Sequence, residues 1–400
     1  MLLINSYLCN ASSFGTACAV LESEHPSTEK GAKTGMDLKQ PTLGVAAAII
    51  VIGISLGICV GISPAVLGSW LALFTIAMVP PQSVLTLALQ CRHPASIANL
   101  PQPARGFAFV LLTAVVGAAI ALAANAIFGA GMKPPTPFVI LYLIPVVPVV
   151  LFLIIPLQCW PFSVLFPKRP LLMGTSVLAA ALLITALGYY TLCNFDFLSQ
   201  APFYRDELNP KGPFMILVPA VFSFTMFIGI QFLILLDFWP INKIPPAAPF
   251  FGRQPWFGIL ALAFSTAIAW VMWIVFIGLL KLDLMTYQAV SVSMIYGMFI
   301  LIVLMEVVPT LKVAQPGRGF TLIAIGAALA FGGFFLHKYI AVTVFGLKAG
   351  PPGFDVEGWI CSAMLAVTFP LMVTHASFFG FYPLKRERPE PAPQLQEQTH

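Results

Sequence analysis

Three observations predict an all-α polytopic membrane protein with about ten transmembrane helices arranged as repeated two-helix hairpins. The first is composition. The 400 residues are 59% hydrophobic and only 9% charged, and the mean hydropathy is +0.93. Ordinary soluble domains carry about a quarter charged residues, so a water-facing surface cannot be built from this chain. The second is run length. Stretch after stretch is apolar for about 20 residues, the length a helix needs to cross the hydrocarbon of a bilayer. The third is a recurrent helix end, seen in Leu235-Leu236-Asp237-Phe238-Trp239-Pro240, where an apolar run closes on an acid, aromatics and a proline.

The formal charge of +5 does not point to nucleic acid, because the basic residues are scattered between apolar runs and serve as topology markers. The seven cysteines (Cys9, Cys18, Cys59, Cys91, Cys159, Cys193 and Cys361) show no C-x-x-C and no zinc spacing. They read as small packed residues, with no disulfide framework.

Residues 1–42 form a polar, disordered cytoplasmic region in this reading. Met1 to Val20 is mildly apolar but has no basic n-region, and Asn5, Ser6, Asn10 and Ser12 interrupt it, so it makes a poor signal peptide. Met36, just before the first strong apolar run, is an alternative start. A transmembrane domain occupies 43–383, and 384–400 is a Pro- and Gln-rich disordered cytoplasmic tail.

Ten spans are expected, at 43–62, 66–92, 106–129, 137–158, 170–193, 214–238, 256–280, 286–308, 319–345 and 358–382. The first two are nearly continuous, and Ser63-Pro64 is the expected turn between them. One set of connecting segments holds 14 Lys and Arg residues, the opposite set only Lys133, Arg205, Lys211, Lys281 and Lys348. By the positive-inside rule the basic set is cytoplasmic. Both termini then lie in the cytoplasm, which requires an even number of spans. The expected location is a bacterial inner membrane. On the opposite side the one long loop is Asn194 to Gly212.

Self-similarity supports duplication. The exit prolines Pro94, Pro161, Pro240, Pro309 and Pro383 recur at intervals of 67, 79, 69 and 74 residues. Trp160, Trp239 and Tyr382 precede three of them, as suits aromatic rings at the headgroup layer. Pro81, Pro148 and Pro370 each lie thirteen residues upstream of an exit, roughly 20 Å deeper by helical rise. There a proline frees a backbone carbonyl and kinks the helix, a break tolerated where neighbours or a cavity satisfy the freed groups. The pattern gives four cytoplasmic hairpins of one orientation, flanked by a first and a last span. Gly53, Gly57 and Gly61 fall on one face of the first span and read as a close-packing surface, as do Gly326, Gly332 and Gly333 in the ninth.

Few residues in the spans can carry chemistry. Asp237 and Glu306 are the acids, both three residues before an exit proline; Gln158 holds the same place, and Gln90 is one residue off. Two readings stand for this set. It forms a partial polar ring that relays protons or cations or touches a solute, or it sits at the headgroup boundary neutralised by Lys243 or Lys312. His337 and Lys338 lie toward the outer end of the ninth span, either as a cationic site for an anion or snorkelling to headgroups. His375 lies eight residues inside Pro383. The depths of His337 and His375 differ, which argues against a haem held between them. Cys91 and His93 make a lone C-x-H, weak for a metal, and no metal site is assigned. Nucleotide-binding, zinc-protease and serine-hydrolase motifs are absent.

The expected function is an integral membrane permease or channel-like transporter for a small solute, open to proton or cation coupling, whose partners are the lipid bilayer and that solute. The alternative is a membrane subunit of a quinone-linked redox complex. A lipid-modifying enzyme would need clustered His, Asp or Glu at one face, which the sequence lacks. Cofactors and partner subunits are not specified by any motif.

Overall fold

The structure, a computed structural model, describes residues 38–244, 248–306 and 313–384. Residues 1–37 with Cys9, Cys18 and Met36, the exit proline Pro309, Lys312 and the tail from Lys385 lie outside the described residues.

The chain is an integral membrane protein with ten candidate spans. They are α1 (Thr42–Gly61), α2 (Pro64–Ala88), α3 (Ala104–Phe128), α4 (Pro137–Ile154), α5 (Pro170–Leu192), α6 (Leu217–Leu235), α7 (Trp256–Leu279), α8 (Leu284–Leu304), α9 (Gly317–Phe345) and α10 (Asp355–Phe378). The break between α1 and α2 falls at Ser63, where the chain is extended and Pro64 takes the first helical position, a place where its missing N–H costs nothing. A two-residue parallel pair, Cys193–Asn194 with Phe214–Met215, ties the ends of the long loop together.

Even and odd helices differ in burial. In the even helices 61% to 78% of the apolar window is buried, against 17% to 39% in the odd ones. The even helices form an inner ring, each touching the next in the order α2, α4, α6, α8, α10 and back to α2. The odd helices stand outside, α3 against α2, α5 against α4, α7 against α6 and α9 against α8. The first span, expected only to flank the bundle, packs on the last: α1 meets α10, with the Ser55 and Thr368 hydroxyls 2.6 Å apart. Outer faces carry apolar stripes at four-residue spacing, such as Phe107, Leu111 and Val115, all exposed. In water a patch of this kind would be an aggregation liability; in a bilayer it meets lipid.

All five inner helices stop short of the apolar runs that predicted them. α2, α4, α6, α8 and α10 end at Ala88, Ile154, Leu235, Leu304 and Phe378 rather than at 92, 158, 238, 308 and 382. The cause is a left-handed cap. Gln158 and Cys159, Asp237 and Phe238, and Gly380 and Phe381 all have positive φ, between 50° and 68°. The amide of Cys159 then reaches back to the Leu153 carbonyl at 2.8 Å, and that of Phe381 to His375 at 3.0 Å. These six-residue bonds close the last helical turn.

The glycine face of α1 is a correction. Gly53, Gly57 and Gly61 are exposed, and a Cβ on any of them would meet nothing within 4 Å. The packed face of α1 is Val51, Ser55 and Cys59. Spacing alone puts three glycines on one side but does not say which side meets a neighbour. In α9, Gly326 and Gly333 do pack, against Met298 and Tyr296 of α8, while Gly332 faces outward.

Candidate functional site

The inner ring encloses an axial cavity of about 80 Å³ to which all five even helices contribute, room for a few water molecules or one small solute. Toward the lysine- and arginine-rich end its wall includes Thr86, Ile155, Ile234, Ile302 and Ser377. A second void of about 20 Å³ continues toward the opposite end past Ile76 and Ile144. Val79, Val147, Phe224, Leu365 and Phe369 border both voids and form an apolar septum between them. Phe369 stacks on Phe299 at 5.1 Å, which holds one septum ring in place from α8.

Two glutamines line the cavity and escaped sequence reasoning. Gln231 of α6 is 1% exposed. Neither its Oε1 nor its Nε2 has a hydrogen-bond partner among the described residues. Gln82 of α2 donates from Nε2 to the Pro370 carbonyl at 3.0 Å and the Thr374 hydroxyl at 2.9 Å, tying α2 to α10, and its Oε1 is left without a partner there. A buried polar group without a partner costs about 1–3 kcal/mol. The signal that finds them is an uncharged amide inside an apolar run; attention to acids and histidines alone passes over it.

The four exit residues picked from the sequence share one conformational place. Gln90, Gln158, Asp237 and Glu306 are each the first left-handed residue after an inner helix, and Gly380 holds that place after α10. Gln90, one residue off when the exits are aligned on proline, falls into line because the α2 exit has one residue more before Pro94. None of the four lines the axial cavity. Asp237 is bound by Arg318, at the start of α9, in an ion pair. Gln315 Nε2 donates to the same carboxylate oxygen at 2.9 Å. Arg318 is thus a partner of Asp237 that the sequence reading, with Lys243 or Lys312 as the neutralising cation, does not name.

Arg318 belongs to a clamp that the sequence repeats four times: Gln40-Pro41, Gln102-Pro103, Gln254-Pro255 and Gln315-Pro316, each followed by a glycine three residues after the proline. Every one of these glutamines donates from Nε2 to a carbonyl at the end of an inner helix. The acceptors are Leu304 at 3.0 Å, Phe378 at 2.7 Å, Pro156 at 2.8 Å and Leu235 at 3.0 Å. At two starts the glutamine Oε1 also accepts from the glycine N–H, in Gly44 and Gly319, both at 3.1 Å, which satisfies an orphan donor of the first helical turn. The glycine lets the backbones close: a Cβ on Gly258 would lie 2.7 Å from the Pro156 carbonyl oxygen. The clamps hold α8, α10, α4 and α6 at one end, and Gly174 of α5 packs on the side chains of Val84 in α2 and of Leu89 just beyond it.

The histidines and Lys338 lie apart from the axis. His337 is fully buried, with Nδ1 donating to the Gly333 carbonyl at 2.8 Å. Its ring stands between Tyr296 and Trp359 at 5.9 and 6.0 Å. Lys338, the next residue, is half-exposed, so the two side chains leave the helix in different directions. His375 borders a surface groove between α1, α3 and α10 and meets the Phe381 ring edge-on at 5.8 Å. Burial pushes the Cys91 thiol up to about 11, partly offset by Arg105, and the Cys159 thiol up to about 12.

The cavity can therefore hold a small molecule by shape and by two amides, with no ionisable side chain among the described residues of its wall. No protein-family model matches this chain, and neither does any curated protein or solved structure.

Proposed function

We propose that the chain is a permease or channel for a small solute and that the solute passes along the axis of the inner ring. The observation that carries this reading is the closed ring of five even helices around two voids separated by one apolar septum. A bundle built only for stability would fill its axis with interlocking side chains. Here polar groups and free space collect on the axis, and lipid-facing residues collect outside. In the same reading the ten helices are five pairs built on one two-helix template, with α1 and α10 completing the fifth, and the basic exit end faces the cytoplasm of a bacterial inner membrane.

Proton or cation coupling through Asp237 or Glu306 belongs to this proposal only in a restricted form. The Asp237 carboxylate is held by Arg318 and Gln315, so a relay there must first break that pair.

The test is flux. Phe369→Ala and Phe224→Ala shorten septum side chains from α10 and α6. In reconstituted vesicles each should raise the permeability to small solutes above that of wild type. Unchanged permeability in both variants and in their combination removes the axis as the path.

A further inference from the structure

The axial cavity is apolar except for Gln82, Ser83 and Gln231 at one level and Thr86 and Ser377 nearer the basic end. Counted back from the left-handed residue at each helix end, Gln82 lies eight residues inside Gln90 and Gln231 six inside Asp237. At 1.5 Å per residue their depths agree to about 3 Å. Val79, Val147 and Phe369 of the septum lie eleven residues inside their own helix ends. The amides therefore sit about 5 to 8 Å from the septum, on the basic side. Ser83 and Thr86 share the wall, but their hydroxyls donate within α2, to Val79 and Gln82.

The hydrogen-bonding capacity left over at this level is specific. Gln231 offers one unpaired oxygen and one unpaired NH2, and Gln82 offers one unpaired oxygen. An ion entering this wall would lose its water without meeting an opposite charge. A purely apolar solute would leave all three groups unmatched. We propose that Gln231 and Gln82 form a binding site for a small uncharged amide or urea. Its N–H groups donate to the two glutamine oxygens, and its carbonyl accepts from Gln231 Nε2. This inference rests on the axis being the solute path, and it adds the class of solute that the path selects.

Urea, acetamide, glycerol and chloride serve as probes. The full chain is reconstituted into phosphatidylethanolamine–phosphatidylglycerol vesicles, as wild type and as Phe369→Ala, each with and without Gln231→Met. Methionine keeps the length of glutamine and removes its polar atoms; an elution profile matching wild type establishes that the variant folds. Urea and acetamide flux should fall about tenfold on Gln231→Met, the equivalent of losing one good hydrogen bond, while glycerol and chloride flux stay as they were. Equal urea flux with and without Gln231, in protein that conducts another probe, overturns the amide site and leaves the path intact. No flux of any probe in any variant overturns the path. In that case acetamide binding to protein in nanodiscs, read by saturation-transfer NMR, decides the site separately: a signal lost in Gln231→Met supports it, and an unchanged or absent signal overturns it.

Discussion

Asp237 and Arg318 permit a test of whether the exit acid is a staple or a relay. Both side chains are largely covered, Arg318 20% and Asp237 17% exposed. Breaking a fully buried pair costs about 3–5 kcal/mol, whereas an exposed pair contributes about 0–1 kcal/mol. Arg318→Met removes this cation from the carboxylate and keeps the Gln315 hydrogen bond, and we expect a loss of about 2–3 kcal/mol, between those limits. Asp237→Asn removes the charge but keeps a residue type that tolerates the left-handed backbone found there, with φ of 53°. It also keeps an acceptor for Gln315, so its cost should be nearer 1–2 kcal/mol. The double variant holds no uncompensated charge. Its cost should fall below the sum of the single variants by about 1–2 kcal/mol, as for residues in direct contact. Unfolding in mixed micelles at increasing dodecyl sulfate reads the three values, and flux in vesicles is measured on the same proteins. Additive costs would refute the pairing argument. A stably folded double variant that has lost flux would refute the staple and restore Asp237 as a relay.

Further outcomes follow from packing, charge and topology. Gly297→Val should abolish monodisperse protein in fluorescence-detected size exclusion, because a Cβ there meets the backbone of α9, including the Ala330 nitrogen at 2.7 Å; Gly57→Val, with nothing within 4 Å, should elute as wild type. In the long loop, Lys211 pairs with Asp206 at 2.7 Å, and the hydrogen bond from Lys211 lowers the Asp206 pKa. That contribution is present above the ordinary carboxylate range and is lost as the pH falls through the lowered value. Asp206→Asn should therefore speed amide exchange in this loop near neutral pH and make no difference in strong acid. If the basic end is cytoplasmic, Lys211→Cys should label with an impermeant maleimide on intact cells, while Lys168→Cys labels only after lysis; the reverse pattern inverts the proposed topology.

The exit residues and the clamps mark how far the candidate site could be read in advance. Asp237, Glu306, Gln158 and Gln90 were visible as a set because a residue at a fixed distance from a proline is a one-dimensional pattern. The left-handed conformation they share follows from the same local chain. Arg318 as the partner of Asp237 was not visible, because the two are 81 residues apart and only the packing of α9 against the end of α6 joins them. The glutamine-proline-glycine clamp was present in the sequence four times, yet its meaning needs the carbonyl of a distant helix. Gln82 and Gln231 were unremarked because an amide in an apolar run carries no period of its own.

By itself the sequence determined the membrane class, the ten apolar lengths, the break at Ser63 and the recurrence of the helix ends. Each of these depends on composition or on spacing along one segment, and hydrophobic burial and helical rise act on them locally. Tertiary structure decided which helices are inner and which outer, because the two kinds overlap in mean hydropathy, 1.6–2.7 inside and 2.0–2.7 outside, and lipid is as apolar as a protein core. For the same reason the glycines of α1 turned toward lipid while Val51, Ser55 and Cys59 turned inward. Only the closing of α10 onto α2 completes the ring and encloses an axis, and only an enclosed axis brings Gln82 of α2 and Gln231 of α6 to the wall of one cavity.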